Sequence, residues 1–170
     1  MAFAFTVEDG TGLIAANSYV SVGEADDIAS INIHTGDNWA ALDLETKEKL
    51  LSWASQFLDN HVRWKGQKAN NSSGMRWPRE NVHDRDGWAI PKHVIPQQLK
   101  VATAAFAVFL MDGDCSAEGE TEGLVRLKAD VVELEFQEGY KQQKVPSHIS
   151  HLLTGLGTVS NGIGFGRIIR

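Results

Sequence analysis

The longest apolar stretch of the chain follows Pro96 and reads "QQLKVATAAFAVFLMD" up to Gly113. Pro96 has a fixed φ and no N–H group, which suits the first turn of a helix, and Gly113 provides a stop. One stripe of this helix is strongly apolar, but Val101, Ala105 and Val108 make its other sides apolar as well. A helix that is apolar all round must be covered all round. The rest of the chain, or other copies of it, therefore has to pack around this helix.

Three further helices are predicted to cover it. From Leu44 to Val62, apolar residues recur at the i, i+4, i+7 and i+8 spacing of an amphipathic helix. Ser21 and Glu24 have the spacing of a capping box, which predicts a short helix from about Val22 to Ile33. A last short helix is predicted to begin at Pro146, because the apolar residues that follow it share one face.

Two segments have the pattern of β-hairpins. Residues 3–16 alternate apolar and polar side chains before a break at Asp9-Gly10, and residues 124–142 alternate apolar with charged side chains. We therefore predict the mainly helical, α+β class: a small bundle of three to four helices with an N-terminal β-hairpin, a β-hairpin arm near 124–142 and a long central loop. Residues 1–156 are predicted to form a single helical domain, and the glycine-rich residues 157–170 an extended C-terminal arm.

Composition limits the class of protein. A chain of 170 residues with 42% hydrophobic content is long enough for one domain. No run of about 18 apolar residues predicts a membrane span, and the N-terminus lacks the basic and apolar regions of an export signal. We therefore expect a protein that stays in the cytoplasm or is assembled from it. Cys115 is the single cysteine, which excludes an internal disulfide and a zinc site built on several cysteines.

Positive charge is concentrated in the middle of a chain whose net charge is -6. Between residues 63 and 92 there are seven lysines and arginines against three carboxylates, a balance of +4, so the rest of the chain carries -10. A molecule with one basic and one acidic face suits contacts between unlike surfaces of neighbouring copies, and it suits a polyanion equally well.

The same region contains a long loop, residues 74–93, with the sequence "GMRWPRENVHDRDGWAIPKH". Tryptophans and arginines together are typical of proteins that hold single-stranded nucleic acid, because bases stack on aromatic rings and cations neutralise phosphates. Tryptophans beside Pro and Gly also anchor long loops to a core, and Arg can stack on them. The low pI, about 5.5, favours this structural or interface use over a dedicated nucleic-acid binder.

A metal-dependent nuclease is a third hypothesis, because His83, Asp84 and Asp86 are candidate ligands. Three ligands in one short loop converge on an ion only with special backbone geometry, and no second cluster supports them. The segment from Asp112 lacks the glycine and the glutamate of a calcium loop. Neither a glycine-rich phosphate loop nor a nucleophile motif is present. We therefore predict no catalysis, no metal and no cofactor.

Several short segments carry a family resemblance through their order and spacing. They read "VEDGTGLIAANSYVSVGEAD", "KEKLLSWASQFLD" followed by "WKGQK", "MRWPR", "IPKHVIPQQLKVATA" and "PSHISHLLTGL". In this order they resemble a group of tailed-phage proteins labelled putative DnaT-like single-stranded-DNA-binding proteins. The resemblance covers about residues 5–156. Members of the group look like head-to-tail connector, or adaptor, proteins.

The resemblance implies a helical adaptor that helps to complete the DNA-filled head of a bacteriophage. Such an adaptor forms a homo-oligomeric ring, usually of twelve copies, beneath the portal protein. Its partners would be other copies, the portal, tail or stopper proteins and packaged double-stranded DNA, with no membrane. It would be made in the host cytoplasm and reside in the virion at the head-tail interface. The family label implies an alternative, a single-stranded-DNA-binding replication accessory.

We predict that the interface with the portal, a neighbouring subunit or DNA uses residues of the central loop and of the C-terminal arm. These residues are Arg76, Trp77, Arg79, Arg85, Trp88, Phe165, Arg167, Ile168, Ile169 and Arg170. Since ordering a flexible arm against a partner can bury a large area, the arm is predicted to dock on the portal or on the adjacent subunit. The DNA-binding alternative instead predicts that bases stack on tryptophans and that cations neutralise phosphates; these residues are Trp64, Trp77, Trp88, Arg63, Lys65, Arg76 and Arg79. It predicts that Trp77→Ala together with Arg79→Ala abolishes binding.

Overall fold

The computed structural model describes residues 3–113, 126–129, 132–135 and 145–159. The helices in these ranges are α1 (Val22–Ser30), α2 (Gly36–Ala40), α3 (Leu44–His61), α4 (Gln97–Leu110) and α5 (Ser147–Leu152). The strands are β1 (Val62–Trp64), β2 (Gln67–Lys68), β3 (Arg79–Glu80), β4 (Arg126–Ala129), β5 (Val132–Glu135) and β6 (Gly157–Val159). The predicted mainly helical, α+β class is confirmed. No helix in the described ranges is long and apolar enough to cross a membrane.

Helix α4 is the centre of the fold, as its apolar sides predict. It packs against α1, α3 and α5, and Leu99, Ala102 and Phe106 are fully buried. The ring of Phe106 lies 5.2 Å from that of Phe57 on α3. The chain's own helices thus cover most of α4, and Phe109 is the large apolar side chain of this helix that stays exposed. The apolar character of α4 therefore does not by itself require other copies.

The ends of the first three helices follow from local polar contacts. Ser21 and Glu24 form the predicted capping box at the start of α1. α1 ends at Ser30, three residues before the predicted end, because the carbonyl of Asn32 accepts the N–H groups of Thr35 and Gly36 and turns the chain. The turn leads into α2, a short helix that the sequence did not indicate and that buries Trp39.

The strands form three separate antiparallel pairs. β4 and β5 pair with Arg126 opposite Glu135, so the predicted hairpin near 124–142 is confirmed where the structure describes it. β2 pairs with β3, with Lys68 opposite Arg79. β6, at the start of the predicted arm, pairs with β1, with Val159 opposite Val62. The remainder of the predicted arm, residues 160–170, lies outside the described residues.

The hairpin predicted over residues 3–16 is wrong. The buried carboxylate of Glu8 accepts hydrogen bonds from the N–H groups of Gly10 at 2.9 Å, Gly12 at 2.8 Å and Leu13 at 2.9 Å. Gly10 has a φ of +98°, and a Cβ there would lie 2.1 Å from the carbonyl oxygen of His93. The glycines therefore let the chain wrap around a carboxylate instead of joining two strands.

Candidate functional site

The two residues on which the DNA-binding alternative depends are structural. Trp77 is fully buried, and its ring packs edge-on against Trp64 with a centroid distance of 6.0 Å. Arg79 is only 8% exposed. In this fold their side chains have no free surface with which to contact DNA, a portal or another copy. The prediction that Trp77 and Arg79 form the interface is therefore corrected: the tryptophan anchors the loop to the core.

Arg79 uses its guanidinium to hold backbone carbonyls together. Its Nε donates to the carbonyl of Lys65 at 2.6 Å, Nη2 to that of Gly66 at 2.7 Å and Nη1 to that of Arg76 at 3.0 Å. Burial lowers the pKa of Arg79 from its ordinary value, but a guanidinium remains charged in proteins. The buried arginine thus fixes the backbone at two residues, Lys65 and Arg76, whose own side chains are exposed.

A buried hydrogen-bond network fixes the same loop from the other side. The Tyr19 hydroxyl donates to Asp59 Oδ1 and accepts from the N–H groups of Arg76 and Trp77. Asp59 Oδ2 accepts from the Arg76 N–H at 3.0 Å, and Trp64 Nε1 donates to Asp59 Oδ1 at 3.2 Å. Burial raises the pKa of Asp59, and burial together with the nearby Asp59 charge raises the pKa of Tyr19. The network joins α3 to the central loop.

Trp88 is the exposed tryptophan of the central loop, with 76% of its surface accessible. The loop that presents it is held by Asp84: Oδ1 accepts from the N–H groups of Trp88 at 2.8 Å and Asp86 at 3.0 Å, and the Asp84 N–H donates to the Trp88 carbonyl at 2.8 Å. A bridge between His83 and Ala89 closes the loop. An indole held in water by an ordered loop is a favourable surface for a partner to cover.

Backbone contacts connect the Trp88 loop to segments that carry exposed cations; these cations are Arg63, Lys65, Arg76 and Arg85. The Lys65 N–H donates to the carbonyl of Leu156 at 2.9 Å. Gly155, the preceding residue, packs against the backbone of Asp84 and Arg85, so these contacts connect Lys65 to the Trp88 loop. Arg79 links the backbones of Lys65 and Arg76. We call Arg63, Lys65, Arg76, Arg85 and Trp88 the basic end.

No cation of the basic end forms a direct ion pair with a carboxylate in the described part of the chain. The ion pairs found there are Lys47 with Asp26, Lys49 with Glu45 and Lys100 with Glu24, and all join residues of α1, α3 and α4. Because the cations of the basic end have no such partner within those ranges, their charge is available to an anionic ligand.

The other candidate residues from the sequence are the metal candidates and the residues of the C-terminal arm. The Asp84 carboxylate accepts hydrogen bonds from the backbone of its own loop. No group of three metal-ligating side chains occurs within the described ranges, which include His83 and Asp86. The five arm residues, Phe165, Arg167, Ile168, Ile169 and Arg170, lie outside the described residues.

Two members of the basic end, Arg63 and Lys65, were predicted as phosphate contacts of the DNA-binding alternative but were not among the predicted interface residues. The available signal was their i, i+2 spacing, which places two side chains on the same face of a strand such as β1. Tyr19 and Asp59, which fix the loop from beneath, gave no signal because they are 40 positions apart.

The fold and the basic end define a class: a mainly helical α+β protein that presents cations and an exposed tryptophan at its β1–β3 end. The model of the family described as "Putative DnaT-like ssDNA binding protein" matches residues 3–170, and the chain belongs to that family. The match extends through the glycine-rich end, beyond the resemblance over 5–156. The description agrees with the DNA-binding alternative and contains no head-to-tail role. No curated protein and no solved structure matches the chain significantly.

Proposed function

We propose that this protein binds single-stranded DNA, without catalysis, through the basic end. The observation that carries the proposal is an exposed Trp88 on a loop whose backbone contacts connect it to the segments of four exposed cations, none of which forms an ion pair in the described ranges. Aromatic rings stack on unpaired bases, and cations follow the phosphates, which together bind single strands without a choice of sequence. The family description supports the same function.

The loop geometry supports a stacking role for Trp88. Because Asp84 bonds to the Trp88 N–H and carbonyl, the backbone that carries the indole is held in place before any ligand arrives. Little conformational entropy is then lost when a base covers it. The acidic rest of the chain does not oppose this function, since charges beyond about 8 Å are screened at physiological salt.

The test is a fluorescence-anisotropy titration with a fluorescein-labelled thymidine oligomer of about 12 nucleotides at several salt concentrations. Trp88→Ala should weaken binding roughly 5- to 100-fold, the range expected for one stacked base. Trp53→Ala is the matched control, because Trp53 is exposed on α3 and lies outside the basic end. Arg63→Ala with Lys65→Ala should reduce the slope of log K against log salt by about 1.4, or 0.7 per lost phosphate contact. Wild-type protein that ignores the oligomer at about 50 mM salt would contradict the proposal.

A second candidate function is the ring-forming, non-catalytic head-to-tail adaptor of a tailed phage, located in the virion. It is favoured by the corner between α1 and α2, where Ile31 and Ile33 are 81% and 88% exposed. Lys47, near the N-terminus of α3, pairs with Asp26 and lies over the Trp39 ring, so this corner sits at one end of α3. The basic end follows the other terminus of the same helix, about 27 Å away at 1.5 Å per residue.

Such unlike ends are what a ring requires. A head-to-tail contact joins two different surfaces of one subunit, and it closes when the rotation allows. The corner supplies apolar side chains with exposed acids such as Asp27 and Asp37, and the basic end supplies cations. Neighbouring copies would then match in charge as well as in shape, with the portal and tail proteins above and below the ring.

Mass photometry and electron cryomicroscopy of particles test the adaptor. Wild-type protein should form closed rings, and Ile31→Asp with Ile33→Asp should remain monomeric. Ile14→Asp is the matched control, since Ile14 is similarly exposed but lies outside the corner. A wild-type protein that stays monomeric at every concentration and is absent from finished particles would exclude the adaptor, whatever the DNA titration shows.

A further inference from the structure

We propose that a polar cavity beside the basic end receives a single base of the bound strand and prefers adenine; this inference rests on the proposed single-stranded-DNA binding. The cavity has a volume of about 360 Å³ and lies between α3 and the segment 74–76. Gln56, Asp59 and Asn60 line it from α3, with Lys68 and Arg76 opposite. The space is larger than a nucleobase requires and smaller than a duplex.

The floor of the cavity is fixed before any ligand binds. Asp59 already accepts hydrogen bonds from the Tyr19 hydroxyl, from Trp64 Nε1 and from the Arg76 N–H. Lys68 Nζ donates to the carbonyl of Ser73 at 2.7 Å. These groups shape the cavity, and their hydrogen bonds to protein atoms are already formed. A ligand would therefore have to form its hydrogen bonds with the residues at the rim.

Two amides at the rim are available for that purpose. Gln56 and Asn60 are one helical turn apart on α3, and both are exposed. Neither side-chain amide makes a hydrogen bond to another residue in the described ranges. A side-chain amide offers one donor group and one acceptor group side by side, which matches the N6 and N7 edge of adenine.

The charges of the cavity favour a neutral group inside and an anionic group at the mouth. An Asp59 carboxylate at the floor repels a phosphate that enters fully. The Arg76 guanidinium lines the cavity, is exposed, and belongs to the basic end. A strand whose phosphates follow the basic end therefore passes this mouth, and one unstacked base can turn inward while its phosphate stays near Arg76.

The experiment compares two labelled oligomers of equal length, all-thymidine and the same sequence with one central adenosine. Wild-type protein should bind the adenosine oligomer roughly five-fold more tightly or better, since a bidentate amide contact discriminates by at least that factor. Gln56→Ala with Asn60→Ala should abolish the preference and leave the affinity for all-thymidine and its salt slope unchanged. The matched control is Gln97→Ala with Gln98→Ala, two exposed amides at the start of α4.

The outcomes separate the two proposals. Tight, salt-dependent binding with equal affinity for both oligomers overturns the base cavity and leaves single-stranded-DNA binding in place. Absence of binding to either oligomer overturns both. As a readout independent of affinity, the side-chain amide signals of Gln56 and Asn60 in an NMR spectrum should shift on addition of 2′-deoxyadenosine 5′-monophosphate, and those of Gln97 and Gln98 should not. Unmoved Gln56 and Asn60 signals also overturn the cavity proposal.

Discussion

The Tyr19 hydroxyl donates a hydrogen bond of 2.5 Å to Asp59 Oδ1 and accepts one of 3.3 Å from the Trp77 N–H. Three segments distant in the sequence meet at this oxygen: the segment before α1, which contains Tyr19, the C-terminal half of α3 and the central loop. The contact determines which loop residues face the core and which face the solvent. Folding and binding can therefore be tested separately by substitutions on either side of it.

Removal of the Tyr19 hydroxyl should destabilise the fold. Tyr19→Phe leaves the Trp77 N–H without an acceptor and deprives Asp59 of a donor in a buried setting. We expect the free energy of unfolding to fall by about 1–3 kcal/mol. Denaturant unfolding measures it, and a double-mutant cycle with Asp59→Asn should show coupling between the two positions. Additive effects would mean that the contact contributes nothing as a pair.

The stability of the protein should depend on pH through Asp59. Burial raises the pKa of Asp59 above its unfolded value, against the opposing hydrogen bonds from Tyr19, Arg76 and Trp64. Because the pKa of Asp59 is higher in the folded state than in the unfolded state, folding takes up a proton. The contribution of Asp59 to stability is therefore fully present below its unfolded-state pKa. It is lost as the pH rises through its folded-state pKa. The difference in unfolding free energy between wild type and Asp59→Asn should therefore fall as pH rises from about 4 to 7. A difference that stays constant with pH would contradict the raised pKa.

Arg79 and Arg76 should give opposite results when each is replaced by alanine. Arg79→Ala leaves three carbonyl groups without their donor, and we expect a loss of about 2–4 kcal/mol in stability. Arg76→Ala removes only an exposed side chain, so its stability should change by no more than about 0.5 kcal/mol. Thermal denaturation and the DNA titration, run on both variants, separate the roles. An Arg79→Ala protein that is fully stable but binds no DNA would show that Arg79 contacts the ligand.

Glu8→Gln tests the carboxylate around which the N-terminal residues fold. The carboxylate accepts hydrogen bonds from three backbone N–H groups, and the substitution places an amide N–H against one of them. We expect the free energy of unfolding to fall by about 1–3 kcal/mol. Asp9→Asn is the control, because Asp9 is exposed and bonds only to Thr11 nearby. Its effect should stay within about 0.5 kcal/mol. Equal effects of the two substitutions in chemical denaturation would refute the role assigned to Glu8.

Local patterns predicted the helices well and failed where side-chain hydrogen bonds decide the path of the backbone. The capping box of α1 and the apolar sides of α4 depend on residues within a few turns, and both were correct. The break at Asp9-Gly10 has the sequence of a hairpin turn, but a buried carboxylate at Glu8 takes the same N–H groups that a second strand would need.

The site shows the same limit. Trp77 and Trp88 are the same residue type in the same loop, so no sequence pattern distinguishes them. Tyr19 and Asp59 accept hydrogen bonds from the backbone N–H groups of Arg76 and Trp77, and the Trp77 indole is buried in the core. Asp84 accepts a hydrogen bond from the backbone N–H of Trp88, whose indole is exposed to solvent. Only contacts between segments far apart in the chain separate the anchor from the candidate ligand-binding residue.

The pairing of Val62 with Val159 affects how the protein is made. β1 leaves the ribosome directly after α3, but its partner strand is synthesised almost a hundred residues later. During most of translation the nascent polypeptide therefore carries an open strand edge, which is a site for misassembly with other chains. This strand pair cannot form until Val159 has left the ribosome, and a truncation before Gly157 would leave that edge open permanently.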